Sequence, residues 1–210
     1  MSDRYDSTQY GNRLRVSPSR AYHKYWQGYS EKKVLLPNGK TKIERQYTAP
    51  WKQHVLSGKG WVSVKAAYFL LTAASIALYL LATTRDTSGN RCWYVALAGL
   101  PAGFTLFLLL VMTVNYITNP RKMTLWEYSS ARRRLLLISP IAAGLLLLTA
   151  VNNTLYVILS AEAARGELLC VAALALSSAA AFALFLIERK LSYTDVKNDN
   201  AAAGGSFSIR

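Results

Sequence analysis

Four long apolar blocks interrupt an otherwise polar chain. They cover residues 62–82, 92–117, 135–159 and 168–187, with short polar loops between them and a polar, basic stretch over 1–61 before the first. Each holds about 20 residues or more. At about 1.5 Å rise per residue, that length crosses a hydrocarbon core of roughly 30 Å. The only ionisable side chain inside any block is Lys65. It lies near a block end, where its stem can snorkel to the interface. A soluble helical bundle can also bury apolar blocks, but four of this length almost free of charge argue against one. The prediction is an all-α integral membrane protein of four transmembrane helices in an antiparallel bundle (domain 62–188), preceded by a small cytoplasmic segment with a β-hairpin. The first apolar block begins at Val62, far beyond the place of a secretory signal, so the first span is expected to remain in the mature protein.

Charge adds an orientation. Of 25 Lys and Arg in 210 residues, 13 precede or open the first block (through Lys65). Five lie in 118–134 and four follow from Arg189, whereas the two intervening loops carry only Arg85, Arg91 and Arg165. The positive-inside rule then places both termini in the cytoplasm, with the plasma membrane as the expected location. The net charge of +14, with 52% apolar residues but only 17% charged, fits such segregation and excludes a disordered or collagen-like chain. Two cysteines exclude a disulfide framework.

In the N-terminal segment, runs about Tyr29–Leu36 and Lys40–Thr48 flank Pro37-Asn38-Gly39, which is strong turn chemistry. A β-hairpin is predicted over about 29–48. Alone it is marginal in water, so it is expected to pack on a neighbour, the bilayer or another copy. Arg20, Lys24, Tyr25 and Trp26 belong to a stretch that interleaves basic and aromatic residues. Three readings compete: a small aromatic core for the hairpin, an anionic membrane surface, and single-stranded nucleic acid. Nucleic acid ranks last, because a tethered basic segment already has an acidic lipid surface beside it. Trp51 and Trp61 read as interfacial anchors, and His54 as an exposed loop histidine.

Asn119-Pro120 should end the second helix. Thr124 and Glu127 match a capping box, so a helix should start near Leu125 and run into the third span. Arg132, Arg133 and Arg134 would ring it at headgroup level, as topology determinants or as a site for an anionic lipid or phosphorylated ligand. Candidate packing positions are Gly99 and Gly103, and the four-residue repeat Ala173, Ser177 and Ala181. A second repeat, Ala175, Ala179 and Ala183, competes for the contact face of the fourth span, and either set can serve self-association. Asn152 and Asn153 are read as polar glue, with Ser75 as a partner at similar depth. Cys92 and Cys170 would share the external face and are a candidate disulfide. The tail 189–210 is expected to be flexible.

No phosphate-binding glycine loop, zinc-protease helix or C-x-x-C occurs, and Glu127, Glu162, Glu167 and Glu188 all lie near boundaries with no pair suited to acid–base work. No catalytic, cofactor or metal site is expected. The leading expectation is a non-enzymatic interaction or assembly subunit of a membrane complex. It would work through its basic cytoplasmic face, with anionic lipids and either a second copy or a heterologous membrane subunit as partners. An oligomeric small channel or transporter is second, and a membrane enzyme third.

Overall fold

The computed structural model describes residues 26, 28–35, 41–160 and 165–198. Their elements run in the order β1 (Tyr29–Leu35), β2 (Thr41–Tyr47), β3 (Trp51–His54), α1 (Gly58–Thr83), α2 (Ser88–Arg91), α3 (Trp93–Thr118), β4 (Lys122–Met123), α4 (Leu125–Tyr128), a π-helical turn (Ser129–Arg133), α5 (Arg134–Ser160), α6 (Arg165–Lys190) and β5 (Tyr193–Val196). Four helical stretches are long and apolar enough to cross a membrane: Gly58–Thr83, Trp93–Thr118, Leu125–Ser160 and Gly166–Lys190.

The chain divides into two compact units. The smaller contains the hairpin, in which β1 and β2 pair antiparallel with Tyr29 opposite Tyr47 and Leu35 opposite Thr41. Its turn residues lie outside the described set. Aromatic rings stack from Trp26 to Tyr29, from Tyr29 to Tyr47 and from Tyr47 to Trp51, with centroids 5.1, 5.1 and 4.6 Å apart. These rings form the small core of the element. Gly28 sits at φ +85°, and a Cβ there would meet Ala49 Cβ at 2.6 Å. Only glycine fits, and its carbonyl then accepts from the amides of Thr48 and Ala49. In the same unit the Tyr47 hydroxyl donates to Pro50 O and accepts from Leu125 N, both at 3.0 Å.

In the larger unit, α1 and α5 each pack on both α3 and α6. Cross-helix pairs fix the directions. Lys65 with Ile117, Thr72 with Thr113 and Tyr79 with Gly99 run α1 antiparallel to α3. Tyr68 with Glu188, Ser75 with Ser177 and Ala82 with Cys170 do the same for α1 and α6. The residues at these seams follow one spacing. In α1 the buried Trp61, Tyr68, Thr72, Ser75 and Ala82 are separated by a seven, a four, a three and a seven. In α3 the stripe is Val95, Gly99, Ala102, Leu106, Leu109, Thr113 and Tyr116, and in α5 it is Leu135, Ser139, Ala142, Leu146, Thr149 and Asn153. In α6 it is Glu167, Cys170, Leu174, Ser177, Ala181, Leu184 and Glu188. Alternating steps of three and four are a heptad seam. These seams are rich in small and hydroxyl residues, while Phe69, Leu70, Leu97, Leu100, Phe104, Phe107, Ile158, Leu159 and Leu176 are exposed.

Several expectations need correction. The helix of the first block starts at Gly58, where the Ser57 hydroxyl accepts from Gly60 N. The fourth reaches Lys190, and part of the expected flexible tail is the strand β5; residues 199–210 lie outside the described set. The sheet order is β4-β3-β5, with Lys52 opposite Met123 and Lys52 paired with Asp195. Ser75 does not meet an asparagine. It exchanges hydrogen bonds with Ser177, Ser75 Oγ to Ser177 O at 2.9 Å and Ser177 Oγ to Ser75 O at 2.7 Å. Two small hydroxyl residues on facing seams approach closely enough to reach each other's backbone. As expected, Asn119 is extended before Pro120 and ends α3, and a helix begins at Leu125.

Candidate functional site

The end of the larger unit that carries the sheet holds a buried polar cluster. Its centre is Glu188, fully buried although it lies in the last helical turn of α6. Tyr68 of α1 donates to Glu188 Oε2 at 2.5 Å, and Tyr193 of β5 donates to Oε1 at 3.0 Å. Because the Tyr193 proton points at the carboxylate, Tyr116 of α3 supplies the proton in the 2.8 Å contact between the two tyrosine hydroxyls. Arg132 in the π-helical turn places Nε 3.3 Å from Oε1. Its guanidinium also donates to the Tyr128 hydroxyl and lies 4.9 Å from the centre of the Tyr193 ring. One carboxylate thus joins α1, α3, the turn before α5, α6 and β5.

A ring of aromatics surrounds it. Tyr68 and Tyr116 pack with centroids 4.9 Å apart, and Trp61 covers Tyr116 at 5.6 Å. His54 lies between Trp61 and Tyr193, at 4.9 and 4.8 Å. It is 1% exposed, so the expectation of an exposed loop histidine was wrong. Its Nδ1 accepts from Leu56 N, which places the proton on Nε2. Burial, reinforced by the charges of Arg121 and Arg132, holds its pKa below the usual imidazole value. Burial and the neighbouring Glu188 raise the pKa of Tyr193, keeping its hydroxyl protonated and donating. Trp61 is likewise a buried ring rather than an interfacial anchor. It is on the heptad seam, where large side chains turn inward.

The arginine triplet divides. Arg132 turns inward, while Arg133 and Arg134 are exposed. Lys59, Lys122, Arg189 and Lys190 are exposed at the same end. Lys65 curls onto the carbonyls of Ile117 and Asn119 at 2.6 and 2.8 Å and caps α3. Trp26 is exposed with the Arg45 guanidinium 4.3 Å above its ring. Arg20, Lys24 and Tyr25 lie outside the described residues.

At the opposite end, Gly103 makes room for Tyr79, whose hydroxyl donates to Gly99 O at 2.9 Å. The glycine pair thus serves contact between α1 and α3. Ala173, Ser177 and Ala181 are buried, and of the competing repeat Ala175 and Ala179 are exposed. Asn152 reaches Tyr94 O at 3.4 Å. Cys92 and Cys170 are free thiols, so the candidate disulfide is not formed. Cys170 is buried with Sγ directed at Ala82 O, while Cys92 opens α3 half-buried.

Glu188 was missed because it sits beyond the apolar block and reads as a boundary charge. Glu188 continues the buried stripe of Ser177, Ala181 and Leu184, but Leu168, Ala172, Ala175, Ala179, Phe182 and Leu186 keep the same spacing on the exposed side, so spacing alone did not mark it. The cluster's chemistry is that of a committed carboxylate, fully buried and bound to two hydroxyls and a guanidinium. Among the described residues, no three His, Cys, Asp or Glu side chains converge to hold a metal. Compared with known proteins, the chain matches no family model, no curated protein and no solved structure.

Proposed function

We propose that the chain is a four-span plasma-membrane protein, an antiparallel helical bundle with both termini cytoplasmic. In this reading it is a non-enzymatic interaction or assembly subunit that docks through its basic cytoplasmic face. Membrane insertion is supported by the inverted polarity of the helices, with Thr, Ser and Asn on the seams and Phe, Leu and Ile outside. In water such an apolar exterior would aggregate, whereas in lipid small and hydroxyl residues are the ones that pack helices.

The observation that carries the docking reading is the division of charge around Glu188. The buried carboxylate takes one arginine inward, and Lys59, Lys122, Arg133, Arg134, Arg189 and Lys190 remain exposed around it. Exposed cations on a fixed platform suit anionic headgroups and an acidic partner surface. Glu188 itself is poorly suited to catalysis, since a general base must reach its substrate.

Reconstitution of the purified protein into liposomes tests this reading. The expected result is no selective ion or solute flux. Robust selective flux would overturn the assembly reading in favour of a small channel or transporter. The lipid-corrected mass from light scattering in nanodiscs then distinguishes a defined homo-oligomer from a monomer that needs a heterologous subunit.

A further inference from the structure

The outer face between α5 and α6 carries a groove of about 420 Å³, walled by Pro140, Gly144 and Leu147 of α5 and by Ala175, Ala179 and Phe182 of α6. Small residues hold it open, and a Cβ on Gly144 would meet nothing within 4 Å. On the groove floor the Ser178 hydroxyl is spent on Ala143 O at 2.8 Å. Both walls continue to the end of the larger unit that carries the sheet. On α5, Leu147, Gly144, Pro140, Leu137 and Arg133 step by threes and fours along one face. On α6, Ala175, Ala179, Phe182, Leu186 and Arg189 do the same. The antiparallel register that sets Ser178 against Ala143 also sets Glu188 against Arg132, at 3.3 Å. One residue further along each helix, Arg189 and Arg133 therefore flank the mouth of the groove, and both are exposed. Neither has an acidic partner among the described residues.

The groove side chains offer no free hydrogen-bond donor, so the groove suits hydrocarbon. The two guanidinium groups at its mouth suit an anion, and arginine binds phosphate in bidentate pairs. From Arg133 to Leu147 the wall is about 21 Å long at 1.5 Å per residue. A molecule that uses the whole feature is long, apolar along its length and anionic at one end. A second copy of the chain fits less well. A two-fold contact over this groove would bring the same two arginines of both copies together, and like charges repel. We propose that the groove binds one anionic phospholipid, with its phosphate between Arg133 and Arg189 and one acyl chain laid between α5 and α6. The proposal rests on the membrane-spanning reading above and gives its anionic lipid a place. Lys59, Lys122, Arg134 and Lys190 remain for a partner surface.

The test is native mass spectrometry of the full chain released from nanodiscs of phosphatidylcholine with a minor share of phosphatidylglycerol. The expected result is one phosphatidylglycerol retained per chain in preference to phosphatidylcholine, and not displaced by glycerophosphate in solution. Arg133→Gln combined with Arg189→Gln should lower that retention at least ~10-fold, because each change removes a cation beside an anionic headgroup. Gly144→Leu fills the groove, keeps both arginines and should lower retention as well. Arg85→Gln, at the opposite end, should leave it unchanged. No preference for phosphatidylglycerol, displacement by glycerophosphate, undiminished retention in the double variant or in Gly144→Leu, or an equal loss from Lys59→Gln would each overturn the site while leaving the membrane-spanning reading in place. A chain that fails to enter the discs would overturn that reading, and the site with it.

Discussion

Replacing Tyr68 by Phe removes one hydroxyl and leaves the ring. The hydroxyl is buried and donates at 2.5 Å to a carboxylate that is also fully buried. A hydrogen bond to a charged group contributes about 1.5–3 kcal/mol, twice or more the worth of a neutral one. Glu188 retains Tyr193 and Arg132, and Arg132 is one-quarter exposed, so its charge remains partly solvated. The expected loss for Tyr68→Phe is therefore about 2 kcal/mol. Tyr79→Phe is the internal control. It removes a hydroxyl that donates to a neutral carbonyl, Gly99 O at 2.9 Å, and should cost about 1 kcal/mol. Equilibrium unfolding in mixed micelles, titrated with dodecyl sulfate and read by far-ultraviolet circular dichroism, measures both. A cycle with Glu188→Gln isolates the pair, and a coupling of about 1 kcal/mol or more is expected. A Tyr68→Phe loss no larger than that of Tyr79→Phe, together with zero coupling, would refute the claim that Glu188 is a charged centre tying the helices together.

Further outcomes follow from other contacts. His54 has a folded pKa below its ordinary 6.5, so its share of stability is complete above that value and is lost as pH falls from there through the folded pKa. Unfolding free energy should fall between about pH 7 and pH 5, and His54→Gln should flatten that slope. Gly103→Ala places a Cβ 2.6 Å from Tyr79 Oη and should cost about 1–2 kcal/mol, less in a Tyr79→Phe background. Gly144→Ala meets nothing within 4 Å and should be neutral or gain up to about 1 kcal/mol in the same unfolding assay. Maleimide should label Cys92 in the folded protein without reductant and reach Cys170 only after unfolding, because Cys170 is buried. Mass spectrometry that found no label on Cys92 would contradict the free-thiol state.

The helices and the hairpin could be read from residues because both rest on local signals. Apolar length sets the helices, and Pro37-Asn38-Gly39 between alternating runs sets the hairpin. Contact faces were harder. In the fourth block small residues fall on every side, and repeats of four point to two stripes equally. Alternating three–four spacing does not choose between them, since Leu168, Ala172, Ala175, Ala179, Phe182 and Leu186 keep it as well as Cys170, Leu174, Ser177, Ala181 and Leu184; the packing of α1 and α5 on α6 buries the second set. The buried stripe, extended past the apolar block at both ends, carries Glu188 and Glu167 inward, against the habit of treating a charge at a block edge as a boundary marker. His54 and Trp61 failed for a different reason. Their burial comes from β3 pairing with β4 across about 70 residues of chain and from β5 closing the other edge. No local pattern around His54 encodes partners that distant.

The docking account rests on one asymmetry: cations are exposed at the sheet end, and the opposite end carries few. Photo-crosslinking in living cells tests it directly. A benzophenone side chain is placed at Lys59, Lys122, Arg133 or Arg189, and in parallel at Arg85 or Arg91. The account predicts discrete protein adducts, to a second copy or a different membrane subunit, from the first set and none from the second. Discrete adducts confined to the Arg85 and Arg91 positions, or no protein adduct from any position at the sheet end, would contradict it.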